Sequence, residues 1–373
     1  MRRYSAYDPP EYVNWTPAPD LVERWNQTLS RNPERAAAVA SLEVEDLLLL
    51  YRNLLRTRLL DIGLKRWVRQ GVISKAWLGT GEEAVTVGAV QALDPRRDWV
   101  CPMIRNAGAC PMMGMTDADV FRGYLATPDS TSGGRDLHVG SLPHRVLQPV
   151  SHMGTNVAVM GGIAMGLVRE GKGGVAMTWI GDGATKTGEC HEGLNFAAVQ
   201  RLPVVFILQN NQVALGTPAE RHGAGRLDRV GEMYGLETRK ADGNHVLDVW
   251  AAVWRAVEDC RSGEGPALIH AHTFRMGGHA THDEREARAT FSESLFREWG
   301  ERDPLGSFEV WLQSSRNVAA RDLEEIEAQV TREVESAAEE ALLSRKLEVA
   351  PERALFPGVS QGPPLHGLSL RPV

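Results

Sequence analysis

The sequence predicts an α/β protein built on a mainly parallel sheet with helices on both faces. Gly174–Ile180 and Val204–Leu208 are short apolar runs with β-branched residues, as strands buried on both faces would be. Between them, Glu189–Leu202 sets Leu194, Ala197, Ala198 and Leu202 at helical spacing, and Pro203 stops that helix. Pro266–His272 is a further buried strand. Two strands joined through a helix form a right-handed crossover, so their carboxyl ends share one edge of the sheet. Open α/β sheets bind their ligands at that edge.

The edge carries suggestive residues. Gly181-Asp182-Gly183 follows the first strand, and Gln209-Asn210-Asn211 ends the second, so Asp182 and Asn211 are expected to meet. The glycines tolerate unusual backbone angles and let a ligand approach closely. A carboxylate, an amide oxygen and nearby backbone carbonyls suit a hard, oxygen-preferring cation such as Mg²⁺, which takes its remaining ligands from phosphate and water. The glycines and the amino end of the following helix suit a diphosphate.

Composition bounds the function class. The 373 residues suffice for one large α/β domain with extensions. Apolar residues at 43% and charged residues at 24% are ordinary for a globular chain. A formal charge of −7 argues against a nucleic-acid partner. Cys101, Cys110, Cys190 and Cys260 are scattered without metal-site spacing and read as reduced thiols of a cytoplasmic protein. No apolar run approaches membrane-span length, and the amino terminus lacks a signal-peptide pattern, so neither membrane nor export is expected.

The remaining elements follow in order. Residues 1–40 mix proline, aromatic and charged residues without a steady period, and read either as an arm docked on the body or a partner, or as a loose tail. Leu42 to about Gln70 is a long helix with Leu47, Leu48, Tyr51, Leu54, Leu55, Leu59 and Ile62 on one stripe, ended by Gly71. Gly79–Ala84 is a turn feeding a second helix, in which Glu82 and Glu83 read as a charge pair favourable at the helix start. In the helix Val157–Val168, Gly161, Gly162, Ala164 and Gly166 permit close packing. Tyr234–Val249 is a further αβα step that turns at Asp242-Gly243-Asn244. Asn317–Leu347 is an amphipathic helix with Leu323, Ile326, Val330, Val334 and Ala338 inward and a solvated Glu/Arg face outward. Residues 350–373 read as an extended tail, docked on a neighbour or mobile. One large domain is therefore expected over residues 41–349, between the arm and the tail.

GDG, the 26 residues 184–209 and then NN resemble the motif of thiamine-diphosphate enzymes, and HEGLNFAAVQRLPVVFILQNN is similar to the alpha subunits of the 2-oxo acid dehydrogenase complexes. The likeness extends over roughly residues 40–345 and implies the thiamine-diphosphate-binding fold. It implies Mg²⁺ on Asp182, Asn211 and the backbone carbonyl of Val213, and the cofactor against Gly181, Asp182, Gly183, Ala184, Asn211 and Val213. The segment Trp99–Gly108 resembles the family stretch in which an arginine contacts the diphosphate, which gives that role to Arg105. Ser151 and Met153 are implied beside the aminopyrimidine. Arg275–Asp283 looks like the family's active-site loop, which gives His279 the diphosphate, the substrate and proton transfer. Arg275 and Asp283 are expected to hold that loop, singly or as a pair; His138 reads equally as a substrate contact or a bystander, and His282 as a surface histidine or a second substrate contact.

The sequence departs from the family's wording at Glu82, Ile104, Asn156 and Val213, where relatives usually carry Gln, Tyr, Gln and Tyr, and at Thr187-Gly188-Glu189, where they often read Ser-Glu-Gly-Asp. Ala280 stands where mammalian relatives carry a regulatory phosphoserine, so no kinase control is expected there. The glutamate that activates the cofactor belongs, in the family, to a separate beta subunit. The resemblance thus implies an alpha subunit of an α₂β₂ heterotetramer that decarboxylates a branched-chain 2-oxo acid or pyruvate and passes the acyl group to a lipoyl-bearing acyltransferase. An acetoin dehydrogenase alpha subunit is the alternative, and a degenerate assembly subunit a third. A nicotinamide dehydrogenase is disfavoured, because G-x-G-x-x-G after a first strand is absent from the required context.

Overall fold

The computed structural model describes residues 1–348. The expected tail, 350–373, lies outside the described residues. Five parallel strands form the central sheet: β1 (Trp99–Cys101), β2 (Ala176–Gly181), β3 (Val204–Asn210), β6 (Thr238–Asp242) and β7 (Ala267–His272), in the spatial order β1-β2-β3-β7-β6. The pair β4 (Val213–Ala214) and β5 (Thr217–Pro218) is a small antiparallel hairpin beyond the end of β3.

Alternation along the strands fills both faces. Val204, Phe206 and Leu208 pack with Val157, Met160 and Ala164 of the helix Thr155–Glu170 and with Leu194 and Ala197 of the helix Gly188–Val199. Val205 and Ile207 point the other way, against Val85 and Ala89 of the helix Glu83–Gln91 and Val249 and Val253 of the helix Val246–Arg261. The α/β architecture read from the sequence is the one present. Of the small residues in the helix Thr155–Glu170, Gly161 meets Phe196 and Ala164 is buried, but Gly162 and Gly166 face open space. The close packing expected of all four is realised by two.

The long helix runs from Val44 to Arg69, and Gly71 follows it with φ +71°. The helix Ala320–Leu343 packs along it through Leu323, Val330 and Val334, while Glu333 of its outer face pairs with Arg52 and Arg56 at 2.6 and 2.7 Å. The first forty residues are not a loose tail. They form the helices Pro10–Val13, Leu21–Ser30 and Pro33–Ala40 and lie on the body, with Tyr12, Leu21, Trp25 and Leu29 buried. Periodicity failed there because each helix is ten residues or shorter and buries a narrow stripe. Arg58, also buried, joins this arm to the core: it bonds Glu83, reaches Asp303 at 2.9 Å and lies over the Tyr12 ring at 4.7 Å.

Candidate cofactor site

The register pairs Gly181 of β2 with Gln209 of β3, so Asp182 and Asn211 leave adjacent strands at the same edge. Neither Gly181 nor Gly183 adopts a left-handed backbone, contrary to the role expected of them. Gly183 is required by packing instead: a Cβ there would lie 2.7 Å from the Cβ of Ala214 in the hairpin. Asp182 is 3% exposed; its Oδ1 accepts from the Gly183 amide at 2.8 Å, and its Oδ2 has no hydrogen-bond partner. Burial, reinforced by the nearby Glu82 carboxylate, pushes the Asp182 carboxyl above the usual carboxylate range.

Glu82 corrects the sequence reading. It is no surface charge at a helix start: it is 0% exposed, and its Oε1 accepts from Gln209 Nε2 at 2.5 Å and from Asn211 Nδ2 at 2.8 Å. Its Oε2 lies 3.5 Å from Arg105 Nη1 and has no hydrogen-bond partner. Gly81 delivers it there with φ +95°, in a spot where a Cβ would meet Met276 Cγ at 2.7 Å. Glu83 is buried as well, as the partner of Arg58. Two consecutive carboxylates both lie in the interior, and each has a partner there, as such groups rarely stay buried unpaired.

Arg105 is buried. Its Nη1 donates to the Leu78 carbonyl at 2.9 Å, and its Nη2 donates to Nδ1 and to the carbonyl of His279, both at 3.3 Å. With Nδ1 accepting, the ring proton of His279 is assigned to Nε2. Burial, then the Arg105 and Arg275 guanidiniums, push the His279 imidazole down to about 4. The ring is therefore neutral near pH 7. Arg275 bonds the carbonyls of Val213, Leu215 and Gly277 at 3.4, 2.7 and 3.2 Å. Asp283 accepts separately from the Ala280 amide at 2.9 Å, so the two residues hold the loop from different points rather than as an ion pair.

The other expected contacts are more dispersed. Met153 is 63% exposed, so it is not a core residue, and Ser151 is exposed beside it. Ser151 Oγ lies 3.4 Å from His138 Nε2, whose Nδ1 is 2.8 Å from Asp136 Oδ1. Ala184 is buried at the start of the turn after Asp182. His282 is exposed. Thr187 caps the helix Gly188–Val199 through the Cys190 amide at 3.3 Å. A cavity of about 460 Å³ lies between the arm and residues 276–281, but none of Arg105, Asp182, Asn211 or His279 lines it.

Comparison with known proteins places this edge in context. The sequence profile of the dehydrogenase E1 component family matches residues 51–350. The chain belongs to that family. It is 32% identical to the 2-oxoisovalerate dehydrogenase subunit alpha of Bacillus subtilis (strain 168), over 77% of this chain and 87% of that protein. It is 34% identical to the 3-methyl-2-oxobutanoate dehydrogenase subunit alpha of Mycobacterium tuberculosis (strain CDC 1551 / Oshkosh), over 72% and 71%. The pyruvate dehydrogenase E1 component subunit alpha of Acholeplasma laidlawii shares 30% identity over 78% and 82%. This E1 chain is thus of the alpha-subunit type, and its family implies thiamine diphosphate as cofactor. The residues present fit such a group: a buried carboxylate oxygen lacks a partner, an amide is fixed with its NH₂ turned away, and two guanidiniums and a neutral imidazole stand close by.

Proposed function

We propose that this E1 chain binds the diphosphate of thiamine diphosphate through Mg²⁺ and, with a beta subunit, decarboxylates a 2-oxo acid and passes the acyl group to a lipoyl arm. The observation that supports the reading is the unpartnered Asp182 Oδ2 beside the anchored amide of Asn211. In it, Asp182, Asn211 and the Val213 carbonyl hold the cation. Arg105 faces the diphosphate oxygens, while Gly181, Gly183 and Ala184 bring backbone close to them. Ser151 and Met153, exposed in this chain, line the aminopyrimidine side, where the partner completes the site.

When bound, thiamine diphosphate supplies the carbon nucleophile and electron sink of the reaction. This chain's contribution is binding and proton placement. His279 presents Nε2–H as a donor while Arg105 fixes its ring through Nδ1. A diphosphate beside it favours the charged imidazolium, so its affinity for a proton rises toward neutrality on loading. That makes His279 a donor to phosphate and a proton carrier at the substrate.

The substrate is proposed as a branched-chain 2-oxo acid or pyruvate, the classes named for the relatives above. The substitutions that suggested a non-catalytic subunit support it weakly: Thr187 has a capping role, and Val213 contributes only its backbone carbonyl. The test is turnover with a dye acceptor, for the chain alone and with its beta partner, on pyruvate, branched 2-oxo acids and acetoin. The expected result is activity on a 2-oxo acid with the pair and none with the chain alone. Activity on acetoin only would replace the substrate, and absence of both turnover and calorimetric cofactor binding would favour an assembly subunit.

A further inference from the structure

A histidine outside the family motif faces the same carboxylate. The hairpin β4–β5 leads directly into the short helix Ala219–His222, and the His222 side chain folds back so that it is 14% exposed. Both of its ring nitrogens are buried without a hydrogen-bond partner among the described residues. Its Nε2 lies 3.6 Å from Asp182 Oδ2, the oxygen that also lacks a partner. That separation is too long for a hydrogen bond. Adjacent ligands with bonds of about 2.1 Å on one small ion sit about 3 Å apart, so a small approach of the imidazole brings both atoms onto a shared ion.

We infer that His222 is a direct nitrogen ligand of the cation held at Asp182, an inference that rests on the cation reading of this site. Ligand arithmetic leaves room for it. Asp182, Asn211 and the Val213 carbonyl would supply three donors, and a small divalent cation takes about six. Imidazole is a poor ligand for Mg²⁺ and a good one for first-row transition ions. A nitrogen ligand therefore adds affinity for ions such as Mn²⁺ and, more strongly, Co²⁺, while Mg²⁺ gains little from it. The orphaned Nε2 of His222 on one side and the orphaned Asp182 oxygen on the other are then satisfied by a single ion.

Pulsed EPR of the full chain with Mn²⁺ and thiamine diphosphate tests this directly. The expected spectrum shows a nitrogen coupling that changes when the chain is labelled with ¹⁵N-histidine and disappears in H222Q, with Mn²⁺ still bound. Competition is expected to show Co²⁺ affinity falling about ten-fold or more in H222Q, the scale on which even outer partners of metal ligands act, with Mg²⁺ affinity little changed. Asp182-dependent Mn²⁺ binding, lost in D182N, without any histidine coupling would overturn the role of His222 and leave the cation site standing. Mn²⁺ binding unaffected by D182N would overturn both together.

Discussion

Asn211 Nδ2 donates to Glu82 Oε1 at 2.8 Å, and this one bond decides which way the amide faces. A carboxylate accepts only, so the NH₂ of Asn211, and that of Gln209 at 2.5 Å, must point at Glu82. The Asn211 oxygen is thereby left for the backbone amide of Val213, and it is the oxygen the proposed cation would use. Replacing Glu82 by Ala frees both amides to turn. Cofactor affinity, measured by calorimetry with Mg²⁺ present, is expected to fall about 10- to 100-fold. Glu82→Gln keeps an acceptor for both amides and matches the residue usual in relatives, so its loss is expected to stay well below that of the alanine variant. Equal losses in the two would show that the charge beside Arg105, not the amide anchor, is what matters.

Arg58 is the second group whose role is set by burial. It supplies the positive charge for Glu83 and Asp303 in the interior and lies 3.7 Å from Asp8 of the arm. Arg58→Met leaves the Glu83 carboxylate buried without its cation, a change worth about 3–5 kcal/mol of stability when one member of a buried pair is removed. Urea unfolding is expected to show that loss, with the arm released first. Limited proteolysis within residues 1–13 at denaturant concentrations below the main transition is the accompanying measurement.

The buried histidines contribute to the pH dependence of stability with a definite sign. Burial pushes both His270 and His279 down from the ordinary 6.5 to about 4. Below about pH 6.5 the unfolded chain takes up protons that the folded chain refuses, so unfolding becomes easier as pH falls, down to about pH 4. Buried carboxylates held above their ordinary range, such as Asp61 and Asp182, oppose this slope, so the change on substituting a histidine is the diagnostic. Urea midpoints are expected to drop between pH 7 and 5, and His270→Gln is expected to flatten that slope. A slope unchanged by the substitution would assign the effect elsewhere.

How much of this was legible in the sequence depends on what each residue needs for its role. The strands and helices around Asp182 and Asn211 were legible because apolar periodicity and Pro203 report directly on a two-faced sheet. Arg105 and His279 were legible only through family wording, and the fold then brought them within 3.3 Å of each other across 174 positions of sequence. Glu82 was misread because a glutamate at a helix start has a sufficient local explanation, and only tertiary contacts to Gln209, Asn211 and Arg105 reveal the other one. His222 gave no sequence signal, since its partner stands 40 residues earlier and the turn that joins them is set by the hairpin. The sequence left the arm open between docked and loose, because the partners of its first residues, Asp303 for Arg3 and Glu309 for the amino terminus, stand far along the chain.

Arg275 offers the last test, on the loop that carries His279. Its planar fork reaches three carbonyls, those of Val213, Leu215 and Gly277, and so ties the hairpin to the loop. Leu215 is held with φ +57°, a backbone state that a branched apolar residue keeps only when its surroundings impose it. A lysine at position 275 has one compact ammonium and cannot serve all three acceptors. Arg275→Lys is therefore expected to let Leu215 relax and to loosen both the hairpin and residues 276–283. Protease cleavage in those two segments should accelerate, and cofactor affinity should fall about 10-fold. Because a ligand that binds only the ordered state shifts the equilibrium back, saturating thiamine diphosphate and Mg²⁺ should suppress the extra cleavage. Cleavage that is fast but insensitive to the cofactor would mean that Arg275 stabilises the loop without any link to the bound diphosphate.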